Sequence, residues 1–371
     1  MKKGIICILV CMLMMLSSAV PISATRDSKM ISHPLTVGNI LYVGGTGPNN
    51  YTKIQDAIND AVNGDIVFVY DDSSPYSEVL QIDRSISLIG EEKRTTIIDV
   101  RTIKNTSALN ISADGVVVQS FTIQNSTTTN WSNYAAGIFI TADNVHIKDN
   151  IIKENSYGIR VGGRIKTTLY VANHCIIETN DITNNECGIS LDHGNYSTIS
   201  HNHISVNGGG IYLQNCKSNL ITLNEITEND GAGIELFETT NNSILQNNIT
   251  GNHDGFDIID SSKNSIQQNN IYKNGIHNVW AISMMFVSLC TKSKPFDNTW
   301  DGNYWGRAYQ FPKPIFGFLF FLFPSLILSG FLQPLKLLQI LLTGSGGYNV
   351  VPLGLPIVKF DWHPAKEPNV M

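Results

Sequence analysis

The sequence predicts an all-β chain folded as a right-handed parallel β-helix. It is expected to be a solenoid of about nine coils of roughly 22 residues, with an N-terminal capping helix and an apolar C-terminal tail. Three observations predict it. The pattern I-x-x-N-x-I-x-x-N occurs six times in succession, starting at Ile147, Ile177, Ile199, Ile221, Ile244 and Ile266. The first interval is 30 residues and the others are 22 or 23. A glycine follows most units at a near-constant offset (Gly158, Gly188, Gly210, Gly233, Gly255) and opens a short alternating stretch: GIRV, GISL, GIYL, GIEL, GFDI.

The chain has 371 residues and a net charge of −6, with 15% charged residues. It is a folded composition without the basic patch of a nucleic-acid binder, so no nucleic-acid partner is expected. Residues 1–24 read as a secretory signal: Lys2 and Lys3 precede the apolar run Gly4 to Leu16, and Ile22-Ser23-Ala24 offers a cleavage site. Export permits disulfides among Cys175, Cys187, Cys216 and Cys290, but no CxxC pair supports a thiolate metal site, and buried single cysteines are expected. Sequons at Asn105, Asn125, Asn195 and Asn248 permit glycosylation. Residues 25–41 read as a linker, 42–306 as the capped β-helix and 307–371 as the tail.

Within "YTKIQDAINDAVNGD", Ile54, Ala57, Ile58 and Ala61 share one helical face, Thr52 is the expected N-cap and Gly64 follows. This helix is expected to cover the first coil, whose strand edges would otherwise be open. Less regular coils follow in "SISLIG", "TTIID", "GVVVQSFTI" and "AAGIFI".

The two isoleucines of each repeat stand five apart, which on one strand would put them on opposite faces. Both are invariably Ile, so both are expected inside, with a bend between them. The first Asn is expected at that bend in a left-handed conformation, and the glycine at a further corner. Stacked Asn side chains can then bond along a ladder, as in cross-β arrays. A leucine-rich repeat has a similar period but needs a Leu pattern and a helical half, and the chain has neither.

The segment "TKIQDAINDAVNGDIVFVYDDSSPYSEVLQIDRSISLIGE" resembles the N-terminal cap and first coils of NosD-like β-helix proteins, which share the pectin-lyase-like fold. "NTWDGNYWG" (Asn298 to Gly306) is similar to the segment that closes such helices, so the resemblance covers Tyr42 to Gly306. It implies either an exported accessory in copper delivery or an enzyme acting on polysaccharides as a lyase, hydrolase or epimerase. Fold alone decides neither.

The middle residue of each glycine-led strand is expected to face outward, which aligns Phe139, Arg160, Ser190, Tyr212, Glu235 and Asp257 in one column. Glu235 and Asp257 then form a carboxylate pair of the kind acid–base catalysis uses. Tyr212 offers a stacking platform and Arg160 a partner for an acidic sugar. Asp192, Glu238 and Asp260 fall in the following turns as further substrate-binding candidates. A solvated sheet face explains the same residues without function. For a metal, His201 and His203 flank Asn202; imidazole suits copper, the cofactor the resemblance implies, but two histidines are a thin set, and His174, His193 and His253 are scattered. No Ser/His/Asp arrangement, P-loop or dinucleotide fingerprint is present, and "GGTGPNN" reads as a turn.

Between Lys313 and Lys336 lie 22 uncharged residues, 314–335, long enough to span a bilayer, although Pro324, Gly330 and Pro334 disfavour one straight helix. A membrane anchor, a re-entrant hairpin and an apolar flap over the last coil remain open. "FDWHPA" (Phe360 to Ala365) resembles tails of exported relatives, which favours a return to the outside. The expected protein is thus exported to the cell surface or a periplasm-like space, with membrane association through 314–335. It is expected to be non-catalytic, binding carbohydrate or delivering copper; a polysaccharide-acting enzyme and a structural spacer are the alternatives.

Overall fold

The computed structural model describes residues 38–371, apart from 129–134, 166, 276, 287–296, 307–312, 325–349, 362 and 370–371. The expected signal at 1–24, most of the linker, and Cys7, Cys11 and Cys290 lie outside the described residues.

The protein is a parallel β-helix with three sheets. Among the described residues sheet 1 has eleven strands, sheet 2 eight and sheet 3 twelve, against the nine coils expected. The first strand, Ile40–Val43, pairs with Ile66–Val69 ahead of the repeats, so sheet 1 begins within the stretch read as linker. One regular coil runs from Ile176–Glu178 in sheet 1 to Asp181–Thr183 in sheet 2 and Cys187–Asp192 in sheet 3, then to Thr198–Ser200 back in sheet 1. The first isoleucine of each repeat sits at the centre of a sheet 1 strand and the second at the centre of a sheet 2 strand. Equivalent residues pair directly, for example Ile177 with Ile199 and Ile182 with Ile204. All twelve are fully buried and stack as continuous inner rows.

The asparagines are inside the corners rather than on them. The left-handed residue is the one before each Asn: Asp149, Thr179, His201, Leu223, Gln246 and Gln268 at the first corner, and Glu154, Asn184, Val206, Glu228 and Lys273 at the second, with glycine (Gly251) in the one remaining place. That turn aims the Asn side chain inward. Asn180 shows the result: its N–H and its Nδ2 both donate to Asn202 Oδ1 at 3.0 Å, and Nδ2 also donates to Ile147 O at 3.0 Å. Its own Oδ1 accepts from Asn150 N and Nδ2. A buried corner must satisfy backbone groups that no strand pairs, and an amide with both donor and acceptor does so in every coil. A parallel ladder runs Asn155, Asn185, Asn207, Asn229, Asn252, Asn274, and a third, at the remaining corner, runs Asn219, Asn242, Asn264, Asn298.

The repeated glycines are also not corners. Gly158, Gly188, Gly210 and Gly233 lie within sheet 3 strands, where what excludes a side chain is space. A Cβ on Gly158 would stand 2.5 Å from Gly188 O, and one on Gly210 would stand 2.3 Å from Gly233 O.

The capping helix spans Ile54–Asp60 and buries Ile54, Ala57 and Ile58 over the first coil; Ala61 follows, also buried. Thr52 is not its cap. Lys53 holds the N-cap position without a side-chain bond, and the distant Glu78 carboxylate accepts from Ile54 N and Gln55 N at 2.9 and 3.1 Å.

The described half of the apolar run is a strand, Lys313–Pro324, not part of a spanning helix. It pairs parallel with His277–Phe286, the last full sheet 3 strand, and antiparallel with Val350–Asp361. Among the described residues no helix is long and apolar enough to cross a membrane.

Candidate functional site: a cleft on the third sheet

Sheet 3 sets the outward column in register: Asn110, Phe139, Arg160, Ser190, Tyr212, Glu235 and Asp257 are successive pair partners. The column is not uniformly open. Phe139, Arg160 and Ser190 are buried, at 7%, 4% and 3% exposure, while Tyr212, Glu235 and Asp257 are half-exposed.

The cover comes from an insertion. The strand Tyr157–Ile165 runs on past the coil and turns back as Thr168–Tyr170, pairing Gly163 with Tyr170 and Ile165 with Thr168. This antiparallel hairpin accounts for the first repeat interval of 30 residues. Gly162 and Gly163 take φ of 66° and 99° where the strand leaves the sheet, a conformation that favours glycine. Tyr170 meets Phe139 edge-on at 6.0 Å. The Arg160 guanidinium lies over the Phe139 and Tyr157 rings, at 5.3 and 5.8 Å, and Nη2 donates to Arg164 O at 3.2 Å.

Between hairpin and column lies a cleft of about 410 Å³, lined by Tyr157, Arg160, Arg164, Ser190, Asp192, His193, Tyr212, Gln214 and Asn215. Of the residues singled out from sequence, Arg160, Tyr212 and Asp192 line it together. Arg160 and Asp192 converge: a Cβ on Gly163 would be 2.6 Å from Arg160 Nη2 and 2.9 Å from Asp192 Oδ2. The other Asp192 oxygen holds His193 Nδ1 at 2.6 Å, and the Tyr212 hydroxyl donates to Gln214 Oε1 at 3.2 Å. Burial raises the Tyr212 phenol above its ordinary value, and the Glu235 and Asp192 carboxylates add to it, so it acts as a hydrogen-bonding group and a ring rather than as an acid.

Glu235 and Asp257 are direct partners on adjacent coils, just beyond the cleft. Burial raises the Glu235 carboxyl and the Asp257 charge raises it further. Glu238 and Asp260 are in left-handed corners after these strands, φ 52° and 48°, outside the cleft lining.

Sequence reasoning did not single out Tyr157, Arg164, Gln214 or Asn215 and counted His193 as scattered. Gln214 was within reach, since it pairs with Asp192 two residues past the column. Arg164 belongs to the inserted hairpin, visible in the sequence only as extra length.

His201 is an exposed corner residue, and Asn202 between the two histidines is buried. His203 is engaged by Ser205 Oγ at 3.0 Å and Glu225 Oε2 at 3.3 Å. Among the described residues no group of three or more His, Cys, Asp or Glu is placed to hold a metal ion. Cys175, Cys187 and Cys216 are free thiols, each pushed up to about 12 chiefly by burial, and a thiol must lose its proton to ligate. These residues do not fit a resident copper ion.

A family model described as periplasmic copper-binding protein (NosD) matches residues 98–309. No curated protein matches the sequence. Among solved structures, XylC in complex with xylose is similar with a TM-score of 0.55 and 11% identity, covering 74% of this chain and 71% of that one. The enzymatically active domain of tailspike protein 2 from bacteriophage CBA120 gives a TM-score of 0.47 and 13% identity over 72% of this chain, which spans 47% of the tailspike chain. The A-module of an Azotobacter vinelandii mannuronan C-5 epimerase gives 0.43 and 14% identity, over 72% of this chain and 83% of the module. The likeness to XylC is one of fold. The family match spans more than half of the sequence and takes in the Asn ladders, the hairpin and the closing segment: the chain belongs to the NosD family.

Proposed function

We propose that the protein is an exported β-helix protein that binds an acidic polysaccharide along the outward column of sheet 3. One observation carries this reading: cationic, aromatic and amide side chains converge on one cleft built onto an otherwise regular solenoid. Arg164 and Arg160 offer guanidinium groups to a sugar carboxylate. Tyr212 offers a half-exposed ring for a sugar face, and Gln214 and Asn215 offer hydroxyl partners. The open part of the column continues from Tyr212 to Glu235 and Asp257 on the next two coils. Export accords with the periplasmic character of the family.

Titration calorimetry with oligouronates and neutral oligosaccharides tests it. Uronates are expected to bind, and Tyr212→Ala or Arg164→Ala to weaken binding tenfold or more. Arg164 is exposed, so its loss leaves the fold intact. Equal, negligible heat from both sugar classes would sink the reading.

A second reading is favoured by the Glu235–Asp257 pairing and the raised Glu235 carboxyl: an enzyme that cleaves or epimerises the same polymer, with Glu235 as acid–base group. It requires release of reducing ends or unsaturated sugars, lost in Glu235→Gln. Copper binding, which the family description names, finds no matching donor set among the described residues; copper retained above buffer by the protein and lost in His201→Ala/His203→Ala would restore it. A structural spacer would show none of these behaviours.

A further inference from the structure

The hairpin beside the cleft is surplus to the coil that carries it. Tyr157–Gly162 alone makes the sheet 3 pairing with Cys187–Asp192, residue for residue as the other coils do. Gly163–Ile165 pairs back only with Thr168–Tyr170 and adds nothing to that register.

What the addition changes is the outward column. Phe139, Arg160 and Ser190 point outward by register, yet all three are buried. An outward sheet residue is buried when something lies on it. Here Tyr170 lies against Phe139, and the Arg164 carbonyl oxygen accepts from Arg160 Nη2 at 3.2 Å. From Tyr212 on, the column is half-exposed through Glu235 and Asp257. The cleft is therefore closed toward the N-terminal coils and opens along the column in the other direction.

The Arg160 guanidinium stands at the closed side. A sugar whose carboxylate reaches it has the hairpin immediately beyond, so the next unit on that side would have to pass through protein. The volume agrees: about 410 Å³ falls in the range of pockets that enclose one small ligand. On the open side, Glu235 and Asp257 carry charge of the same sign as a polyuronate. Repulsion there keeps further units from adding to the affinity, so recognition concentrates in the unit held by the arginines.

We propose that the cleft recognises the end of an acidic polysaccharide chain, and that the hairpin is the stop that excludes chain interiors. This rests on the reading of the cleft as a uronate site. The terminal uronate lies against Arg160 and Arg164 with its ring beside Tyr212, and the rest of the chain leaves over Glu235 and Asp257.

The test is titration calorimetry of residues 25–371 with tetragalacturonate and with a polygalacturonate of known chain number, beside the corresponding mannuronates. The short and the long ligand are expected to take up one protein per chain, with the same Kd per chain. Arg164→Ala is expected to raise both Kd values by the same factor, about tenfold or more. A long chain that takes up several protein molecules, a long chain that does not bind where the tetramer does, or polymer binding that survives Arg164→Ala would each overturn the proposal while leaving uronate binding in place. No heat from any of the four ligands would remove the uronate reading and this one with it.

Discussion

Asp361 Oδ2 accepts hydrogen bonds from both the backbone N–H and the side-chain amide of Asn303, each at 3.2 Å. Asn303 is the last amide of the ladder that begins at Asn150, so a fully buried carboxylate receives the two donors that the next coil's asparagine would have taken. Trp305 Nε1 adds a third bond at 3.0 Å. Asp361→Ala removes the acceptor shared by Asn303 N, Asn303 Nδ2 and Trp305 Nε1 and is expected to cost about 3 kcal/mol, read as a lower urea midpoint.

The same carboxyl makes stability depend on pH. Burial raises it and outweighs the bonds from Trp305 and Asn303. A raised carboxyl contributes stability that is fully present in acid and is lost as pH rises through its folded value, above the ~3.9 of an exposed Asp. Asp361→Asn keeps an acceptor and is expected to remove that slope; unfolding midpoints across pH 4 to 8 check it.

Asp99 has the opposite sign. Burial opposes its charge, yet bonds from Arg101, Gln124 and Asn125 hold the carboxyl well below the usual carboxylate range. Its contribution is present above ~4 and lost as pH falls toward the folded value. Asp99→Asn is expected to flatten the acid limb of the stability curve while lowering stability at neutral pH.

Two neighbouring substitutions in the repeat should act in opposite directions. Asn202→Leu removes the acceptor for Asn180 N and Nδ2 and the Nδ2 donor to Asn224 Oδ1 and Ile177 O, and is expected to cost about 3 kcal/mol. Val206 is a β-branched residue at φ 56°, so Val206→Asn is expected to stabilise by about 1 kcal/mol. Chemical denaturation of both variants decides the pair.

Adjacent glycines provide a further contrast. A Cβ on Gly210 would meet Gly233 O at 2.3 Å and Ile226 Cγ2 at 2.9 Å, whereas one on Gly209 meets nothing within 4 Å. Gly210→Ala is expected to shift the thermal midpoint down by several degrees and Gly209→Ala to leave it unchanged or slightly raised.

The solenoid was legible because its core is periodic: Ile at two fixed places per coil reports two buried strand centres, and the register follows. The role of each Asn was half legible. Its ladder could be expected, but the left-handed residue could not, because Val206, Leu223, Thr179 and Glu154 share no chemistry; each turns because the Asn after it must face inward. The column through Arg160, Tyr212 and Glu235 followed from alternation alone. The cleft did not, since it depends on a hairpin whose only trace is eight extra residues and on Gln214, which becomes relevant once it stands beside Asp192. The apolar run at 314–335 met the length criterion of a helix, yet its described part is extended because the open strand His277–Phe286 offers it a partner.

Every amide-to-amide bond in the first ladder runs in one direction, from a donor in one coil to an acceptor in the next coil toward the C-terminus. The rod therefore has a chemical polarity, and any coil could in principle be followed by another copy of itself. What makes it a molecule and not a fibre is its two unlike terminators, a helix at the starting end and the buried Asp361 carboxyl at the growing end. Duplicating a 22-residue unit upstream of Asn303 would lengthen the outward face by one strand spacing and leave both terminators in place. The length of the outward face is thus a quantity that gene duplication can change without redesign of the fold.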